Sequence, residues 1–250
     1  MALGLGSKLS KSGIVTPGIV TDSLVLKHNY SAGSVVPLSD GAAFFDGVDD
    51  YISVSSATAL TPSSITVSAL VKLPGAAPTD SYPRIADNDG TTGDGTDKGW
   101  NFRYVKSSNI FSARVSANGE DHDLIQSDST YTDYNKWYHV AFTYNHSNGE
   151  GKIYIDGVHD GTDDGDITGA LNDSGEALRI GGDTADNQMW DGYICNVGVW
   201  SAVLTHAQIK SIMWKNYAGL TSSETTSLVS WWNLSADAND SHGSNNGTLA

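Results

Sequence analysis

The chain has 250 residues, a length that suits one β-sandwich domain, and a formal net charge of −15. Its acidic residues are 25 Asp and only four Glu, and aspartate favours turns over helices. The lack of clustered Lys and Arg argues against nucleic acid as a partner. Without an apolar run of about 18 residues, no membrane insertion is expected. A single cysteine, Cys195, cannot form an internal disulfide and is interpreted as a buried strand residue.

Residues 1–20 differ from the rest of the chain. They carry two lysines and no acidic residue among repeated Gly, Ser and Thr. Such a segment buries too little apolar surface to hold a fixed shape alone. It is either a frayed terminus or an N-terminal arm that orders against a partner subunit. For the arm we expect docking through Lys8, Lys11, Ile14 and Val15.

Residues 21–250 are predicted to form one β-sandwich. Short alternating segments are separated by turn residues, a pattern typical of antiparallel sandwiches and barrels. The predicted strands are Ser23–Lys27, Ala42–Phe45, Tyr51–Val54, Ile65–Leu73, Gly99–Val105, Ile110–Val115, Trp137–Tyr144, Gly151–Ile155, Leu178–Ile180 and Gly192–Trp200. Pairs such as Asp156-Gly157 predict tight hairpin turns between them.

One short helix is predicted near residues 206–217. Thr205 and Gln208 form the two ends of a capping box, in which each side chain bonds the backbone beside the other. Apolar residues then recur at helical spacing, so the helix is expected to cover an edge or end of the sandwich. No signal sequence is recognised at the first residues, and ordinary secretion is not expected.

Four strings in the middle of the chain carry a family resemblance. They are Phe45–Ile52, Trp137–Tyr144 followed by Gly151–Gly157, Leu178–Gly182 followed by Trp190–Ile194, and Val199–Ile209. Together and in this order they resemble the laminin-G-like and concanavalin A-like jelly rolls. The resemblance implies an all-β fold of two antiparallel sheets packed as a sandwich.

The C-terminal segment departs from the pattern of that family. Trp231–Leu234 and Asp240–Leu249 resemble strings that usually open such a domain, yet here they close the chain. The segment is either the last strand of the sandwich or the remnant of a second repeat, and we favour the first.

The sequence predicts no enzyme. Glucanases of this fold carry an E-x-D-x-x-E string on one strand, and glycosidases need two carboxylates about 5–9.5 Å apart. That string does not occur, and neither does a Gly-x-Ser-x-Gly or His-Glu-x-x-His motif. A hydrolase that uses paired aspartates is the least favoured alternative.

No cofactor is required, and calcium is the metal that the acidic loops would suit. Ca²⁺ is bound by carboxylate, amide and carbonyl oxygens. The predicted ligands lie in two segments of the chain: Asp87, Asp89, Asp94, Asp160, Asp163 and Asp164. Solvated acidic turns are the alternative.

Sugar binding needs aromatic platforms beside hydrogen-bonding groups. The candidate platforms lie in or near predicted loops: Tyr82, Trp100, Tyr104 and Trp190. Partly buried packing is the alternative for each of them.

The leading functional prediction is a non-enzymatic structural protein of a virion. The acidic single domain, the polar arm and an opening that resembles marine phage structural proteins together favour a capsid decoration or fibre protein. Such a protein would lie on the particle surface, dock on a capsid or tail protein, and form a homotrimer by analogy. The alternative is a glycan-binding lectin module, extracellular or on a cell surface, with a cell-surface glycan as partner. A glycoside hydrolase is less favoured.

Overall fold

The computed structural model describes residues 41–55, 57–73, 75–90, 99–163, 165–185 and 187–250. The predicted arm at residues 1–20, with Lys8, Lys11, Ile14 and Val15, and the predicted strand Ser23–Lys27 lie outside these residues. The boundary between arm and sandwich therefore stays a prediction. Among the helices in the described part of the chain, none has the length and apolarity needed to cross a membrane.

The described residues form 14 strands and one α-helix. In chain order the strands are β1 (Ala43–Asp46), β2 (Ile52–Val54), β3 (Ile65–Lys72), β4 (Arg84–Asp87), β5 (Trp100–Val105), β6 (Ile110–Val115), β7 (Asp123–Gln126), β8 (Trp137–Tyr144), β9 (Gly151–Ile155), β10 (Val158–Asp163), β11 (Leu178–Ile180), β12 (Asp191–Trp200), β13 (Leu228–Trp232) and β14 (Gly247–Leu249). The helix α1 spans His206–Ile212, and 3-10 turns occur at Thr58–Leu60 and Tyr217–Gly219.

The strands form two seven-stranded sheets. Sheet I has the order β1-β12-β3-β8-β9-β10, with β13 also paired to β12, and sheet II has the order β14-β2-β11-β4-β5-β6-β7. The pairings in both sheets are antiparallel. This architecture confirms the predicted all-β sandwich of two antiparallel sheets with one short helix.

The main core lies between the two sheets. Alternate residues of β5 and β8 point into it, and their rings meet there: the Phe142 ring centroid lies 6.0 Å from that of Trp100 and 5.1 Å from that of Phe102. All three side chains are fully buried. Aromatic pairs at these distances bury large areas, so this cluster fixes sheet I against sheet II.

A second core lies on the outward face of sheet I, beneath α1. Trp200 of β12 and Trp231 of β13 meet edge to face at 5.9 Å, and Ile209 and Ile212 of α1 close over this cluster. The predicted capping box at Thr205 is present and starts the helix. The helix ends at Ile212, earlier than the predicted residue 217. The prediction that it covers part of the sandwich is confirmed.

The C-terminal segment joins both sheets. β13 pairs with β12 in sheet I, and β14 pairs with β2 in sheet II. Between them Asp240 holds the turn, since its carboxylate accepts backbone N–H groups of Trp231 and Gly243, among others. Burial alone would raise the pKa of Asp240, but these donors stabilise the carboxylate and lower that pKa overall. The segment thus completes the sandwich.

Gly181 follows β11 and lies against the ring of Phe45 in β1. Its replacement should destabilise the fold. Its φ is +89°, and a Cβ atom there would meet the Phe45 ring. Gly175 is a matched control because its φ is +73° and nothing lies near its Cβ position. We expect Gly175→Ala to lose about 1 kcal/mol of unfolding free energy from backbone strain, and Gly181→Ala about 1–3 kcal/mol more from the clash. Urea denaturation measures both, and equal losses would contradict the packing argument.

Candidate functional site

All four arginines of the chain point outward from sheet II. We call the surface formed by Arg84, Arg103, Arg114 and Arg179 the arginine face. The strand register aligns these residues. Arg84 of β4 pairs with Arg103 of β5, while Asn101 of β5 lies between Asp87 of β4 and Arg114 of β6. Arg179 of β11 pairs with Asp87 from the other side.

Strand alternation explains why these polar residues face outward. In β5, Trp100, Phe102 and Tyr104 enter the core between the sheets. Successive side chains of a strand point to opposite faces, so Asn101 and Arg103 must point away from that core. The same argument holds for Arg114 between core residues of β6 and for Arg179 between core residues of β11.

A β-bulge in β4 adds two further polar residues to this face. The register shifts between Arg84 and Ala86, where one extra residue enters the strand. Ile85 and Ala86 consequently both lie in the core. Arg84 and Asp87, on either side of them, both face outward and form an ion pair, with Nε 2.8 Å from Oδ2.

A buried hydrogen-bond network connects these groups. The backbone N–H of Asp89 donates to Oδ1 of Asp87 over 2.7 Å, and Nδ2 of Asn101 donates to Oδ2 of Asp89 over 3.0 Å. Asp87 is 1% exposed and Asn101 0%. Hydrogen bonds in a dry setting are strong, so the paired groups of this network are held in place before any ligand arrives. Oδ1 of Asn101 is the exception, a buried acceptor with no hydrogen-bond partner among the described residues.

The environment of Asp87 makes its carboxyl group a weaker acid than usual. Burial raises the pKa of Asp87 to about 7; Arg84 opposes this shift, and the nearby charges of Asp89 and Asp183 add to it. The carboxyl group is therefore partly protonated near neutral pH. In that state it carries less negative charge to offset the arginines.

Two arginine–tyrosine contacts flank β4. The guanidinium of Arg103 lies 5.1 Å from the centroid of the Tyr82 ring, and that of Arg179 lies 4.0 Å from the Tyr51 ring. Cation–π contacts at these distances hold the planar groups parallel to the sheet surface. Tyr82 is 41% exposed, so its ring forms the accessible edge of the arginine face.

The predicted glycan platforms lie in two different environments. Tyr82 is at the surface beside Arg103, as a platform should be. Trp100, Tyr104 and Trp190 are fully buried and belong to the core between or around the sheets. Nε1 of Trp100 donates to the Leu60 carbonyl, and this fixes the ring inside. These three side chains are corrected to packing residues, because no ligand on the surface can reach them.

Of the predicted calcium ligands, the described ones are Asp87, Asp89, Asp160 and Asp163, and they do not form a group of three or more carboxylates around one position. Asp87 and Asp89 belong to the arginine network described above. The carboxylate of Asp160, on β10, accepts hydrogen bonds from the hydroxyls of Ser129 and Tyr131. Asp163 lies at the end of β10, while Asp94 and Asp164 lie outside the described residues. Calcium binding by these aspartates stays a prediction.

A different acidic group, missed by the sequence analysis, forms the turn after β1. Carboxylate oxygens of Asp46, Asp49 and Asp50 lie within 4.8 Å of one another, and their chemistry would suit a hard cation. Two of these carboxylates accept backbone N–H groups of the turn. The N–H of Asp46 donates to Oδ2 of Asp50, and the N–H of Val48 donates to Oδ1 of Asp46. The turn thus has a structural use for these carboxylates.

The outward face of sheet I carries an apolar groove of about 440 Å³. Its lining is mostly aromatic and aliphatic: Gly41, Ala42, Leu70, Trp137, Tyr193, Cys195 and Trp214. Sugars need several hydrogen-bonding partners, and these side chains supply few. The arginine face meets that need better.

Comparison with known proteins places this geometry in context. A sequence profile described as the concanavalin A-like lectin/glucanases superfamily matches residues 46–210. No curated protein sequence matches the chain.

Several solved structures share the fold. A Bacteroides ovatus protein, provisionally described as carbohydrate-binding, is 22% identical with a TM-score of 0.63; the match covers 83% of this chain and 57% of that protein. The CBM40 module of a Ruminococcus gnavus IT-sialidase, solved with α2,3-sialyllactose, is 13% identical with a TM-score of 0.55, covering 70% of this chain and 98% of the module. A second structure of the same module, for which no sugar is named, is 14% identical with a TM-score of 0.52; the match covers 71% of this chain and all of the module.

The raised pKa of Asp87 predicts a pH-dependent stability. The folded value of about 7 exceeds the ordinary value of 3.8, so folding retains a proton that the unfolded chain releases. The contribution of Asp87 to the free energy of unfolding is full below about pH 4 and is lost as the pH rises through about 7. The side chain in the Asp87→Asn variant cannot ionise, so this variant should lose less unfolding free energy than the natural protein across that range. Urea denaturation at several pH values measures this, and parallel pH profiles would contradict it.

Proposed function

The chain belongs to the concanavalin A-like lectin/glucanase superfamily, and from that premise we propose that it is a non-catalytic glycan-binding module whose ligand lies on the arginine face. One observation carries the proposal. The outward face of sheet II holds an ordered layer of hydrogen-bonding side chains with an exposed tyrosine at its edge. The matching face of sheet I is instead occupied by α1 and an apolar groove.

The chemistry of this face suits a sugar. Hydroxyl groups both donate and accept hydrogen bonds, so a glycan site needs both kinds of partner in fixed positions. The guanidinium groups of Arg114 and Arg179 reach solvent and supply donors, and the hydroxyl of the exposed Tyr82 can both donate and accept. The buried network around Asp87 and Asn101 fixes them beforehand, which lowers the entropy cost of binding. The exposed ring of Tyr82 offers an apolar surface for the C–H face of a sugar.

The dimensions favour a short oligosaccharide over a single sugar. Arg179 on β11 and Arg114 on β6 are separated by β4 and β5. Three strand spacings of about 4.8 Å place their backbones about 14 Å apart. A ligand that contacts both ends must therefore run across the strands.

The comparisons support the class of ligand. The Bacteroides ovatus protein is provisionally described as carbohydrate-binding, and the Ruminococcus gnavus module was solved with a sialylated sugar. At these identities the likeness concerns the fold, so sugar binding by this chain is our proposal. The chain spans 57% of the length of the Bacteroides ovatus protein, and any activity of that whole protein is not transferred.

The state of the carboxylates supports a role without catalysis. Asp87 is buried and bound to Arg84, and Asp89 is bound to Asn101. A glycosidase needs two carboxyl groups that flank a reachable bond. These two carboxyl groups are instead used within the protein.

A place on a virion stays a prediction. It depends on residues 1–20, which lie outside the described part of the chain. It also depends on a capsid or tail partner and on a trimer, and the described residues test neither. A glycan-binding domain displayed on a particle could serve adhesion, so the two functions are compatible. Proteomics of purified particles would test the location.

Substitutions on the arginine face should weaken glycan binding. Arg103→Ala removes the guanidinium that supports the Tyr82 ring and should raise the Kd of a glycan found by array screening about threefold or more. Tyr82→Ala removes the platform and should raise it about threefold. Arg103→Lys keeps the charge but loses the planar fork, so its effect should lie between that of Arg103→Ala and none. Titration calorimetry on the full chain measures each Kd.

Lys210→Ala provides the matched control. Lys210 is exposed on α1, on the other side of the sandwich, and its loss should leave the Kd unchanged. Circular dichroism checks that each variant is folded. Because Arg103 is nearly buried, Tyr82→Ala keeps the test decisive if Arg103→Ala does not fold. An array with no bound glycan, or variants that bind as well as the natural protein, would refute the proposal.

A further inference from the structure

We propose that the glycan bound by this chain is acidic, and that its carboxylate or sulfate group is held by arginines of the arginine face; this inference rests on the proposed function. The first observation is the placement of the basic residues. The chain has four arginines, and the strand register brings all of them to one face. They come from four different strands and from positions 84, 103, 114 and 179, so no local sequence effect gathers them.

The lysines are distributed differently. Those described on or beside sheet I are Lys72, Lys136, Lys152, Lys210 and Lys215. Several of them have acidic partners: Lys136 pairs with Asp156 at 2.7 Å, and Lys215 pairs with Glu224 at 2.6 Å. One described lysine, Lys106, follows β5 at an end of sheet II and donates to the Thr79 carbonyl. The strands of sheet II themselves contain four arginines and no lysine.

The guanidinium group has a specific chemical use. It is planar, always charged, and presents paired N–H donors that match the two oxygens of a carboxylate or sulfate. An ammonium group has no such fork. A face whose basic side chains are four arginines beside His122 is therefore suited to an oxyanion more than to neutral hydroxyls.

The local charge balance favours an anion despite the charge of the whole chain. The chain has a formal net charge of −15. At physiological salt, charges more than about 8 Å away are largely screened, so the nearest groups decide. Among the described residues, the four guanidinium groups of the arginine face adjoin the carboxyls of Asp87, Asp89 and Asp183. The partial protonation of Asp87 shifts this balance further towards positive charge.

The arginines divide into a positioning pair and a contact pair. Arg84 and Arg103 are 5% and 6% exposed, and they hold the network and the Tyr82 ring. Arg114 and Arg179 are half-buried, so part of each side chain reaches solvent. Nη2 of Arg114 lies 3.0 Å from Nε2 of His122, and Arg179 lies on Tyr51. The backbones of Arg114 and Arg179 lie about 14 Å apart and their side chains lie towards opposite ends of the face, so one acidic group cannot bridge them. We therefore assign each of Arg114 and Arg179 its own contact with an acidic group of the ligand.

The first experiment compares glycans that differ in one charged group. For the carboxylate, the pairs are an oligogalacturonide with its methyl ester, and sialyllactose with lactose. For the sulfate, the pair is a sulfated galactan oligosaccharide with its desulfated form. Titration calorimetry on the full chain should give a Kd about tenfold or more lower for the acidic member of at least one pair. Which pairs respond distinguishes carboxylate from sulfate.

The second experiment removes the assigned contacts. For a glycan with one acidic group, either Arg179→Gln or Arg114→Gln should reduce the preference for the acidic member towards onefold and leave the Kd of the neutral member nearly unchanged. Full preference in both variants would contradict the assignment. A purely structural role would weaken both members alike, so the ratio separates the two roles. Lys210→Gln is the charge-matched control and should keep the full preference. Because Arg114 and Arg179 are half-buried, both variants are expected to fold. If they do not, the glycan pairs measured on the natural protein still test the preference for acidic ligands.

The outcomes separate the two proposals. Equal binding of acidic and neutral members overturns this inference and leaves glycan binding in place. Binding of none of the glycans overturns both. A single-stranded DNA oligonucleotide serves as a polyanion without sugar acids, and binding as tight as that of the best acidic glycan would overturn the inference in favour of general charge attraction.

Discussion

The β-bulge in β4 determines which side chains form the arginine face. In a regular strand, residues three positions apart point to opposite faces. Arg84 and Asp87 are three positions apart, yet they share the outward face because Ile85 and Ala86 both enter the core. Without the extra residue, one member of this ion pair would be forced between the sheets. A carboxylate buried without its partner is strongly destabilising, so the bulge, the ion pair and the burial of Asp87 depend on one another.

The two outward faces of the sandwich are closed by different chemistry. On sheet I, Trp200 and Trp231 lie beneath α1, and burial of apolar surface holds the helix there. On sheet II, hydrogen bonds among Asp87, Asp89 and Asn101 order the surface. An apolar lid leaves no polar groups for a ligand, whereas an ordered polar layer does. The fold thus uses one outward face for apolar packing and carries on the other the polar layer to which we assign the proposed binding.

Much of the fold could be predicted because most strands alternate strongly. The bounds of β6, β8, β9 and β11 agree with the prediction residue for residue. The strands that were not predicted are β4, β7 and β10, while β13 and β14 lie in the C-terminal segment that was predicted to complete the sandwich. β10, with the sequence VHDGTD and a register shift, resembles a turn, because most of its residues are polar. Trp100 and Tyr104 were taken for surface platforms, although their parity with the core residue Phe102 marks them as buried. The arginine face could not be predicted, since only strand register brings its four arginines together.

The single thiol of the chain gives the fold an internal reporter. Cys195 is 2% exposed, and it lies at the floor of the apolar groove of sheet I, on the side away from the arginine face. A thiol in such surroundings reacts slowly until the strands around it separate. A maleimide dye would therefore time the opening of sheet I in the natural protein, with no substitution needed and with sheet II left unlabelled.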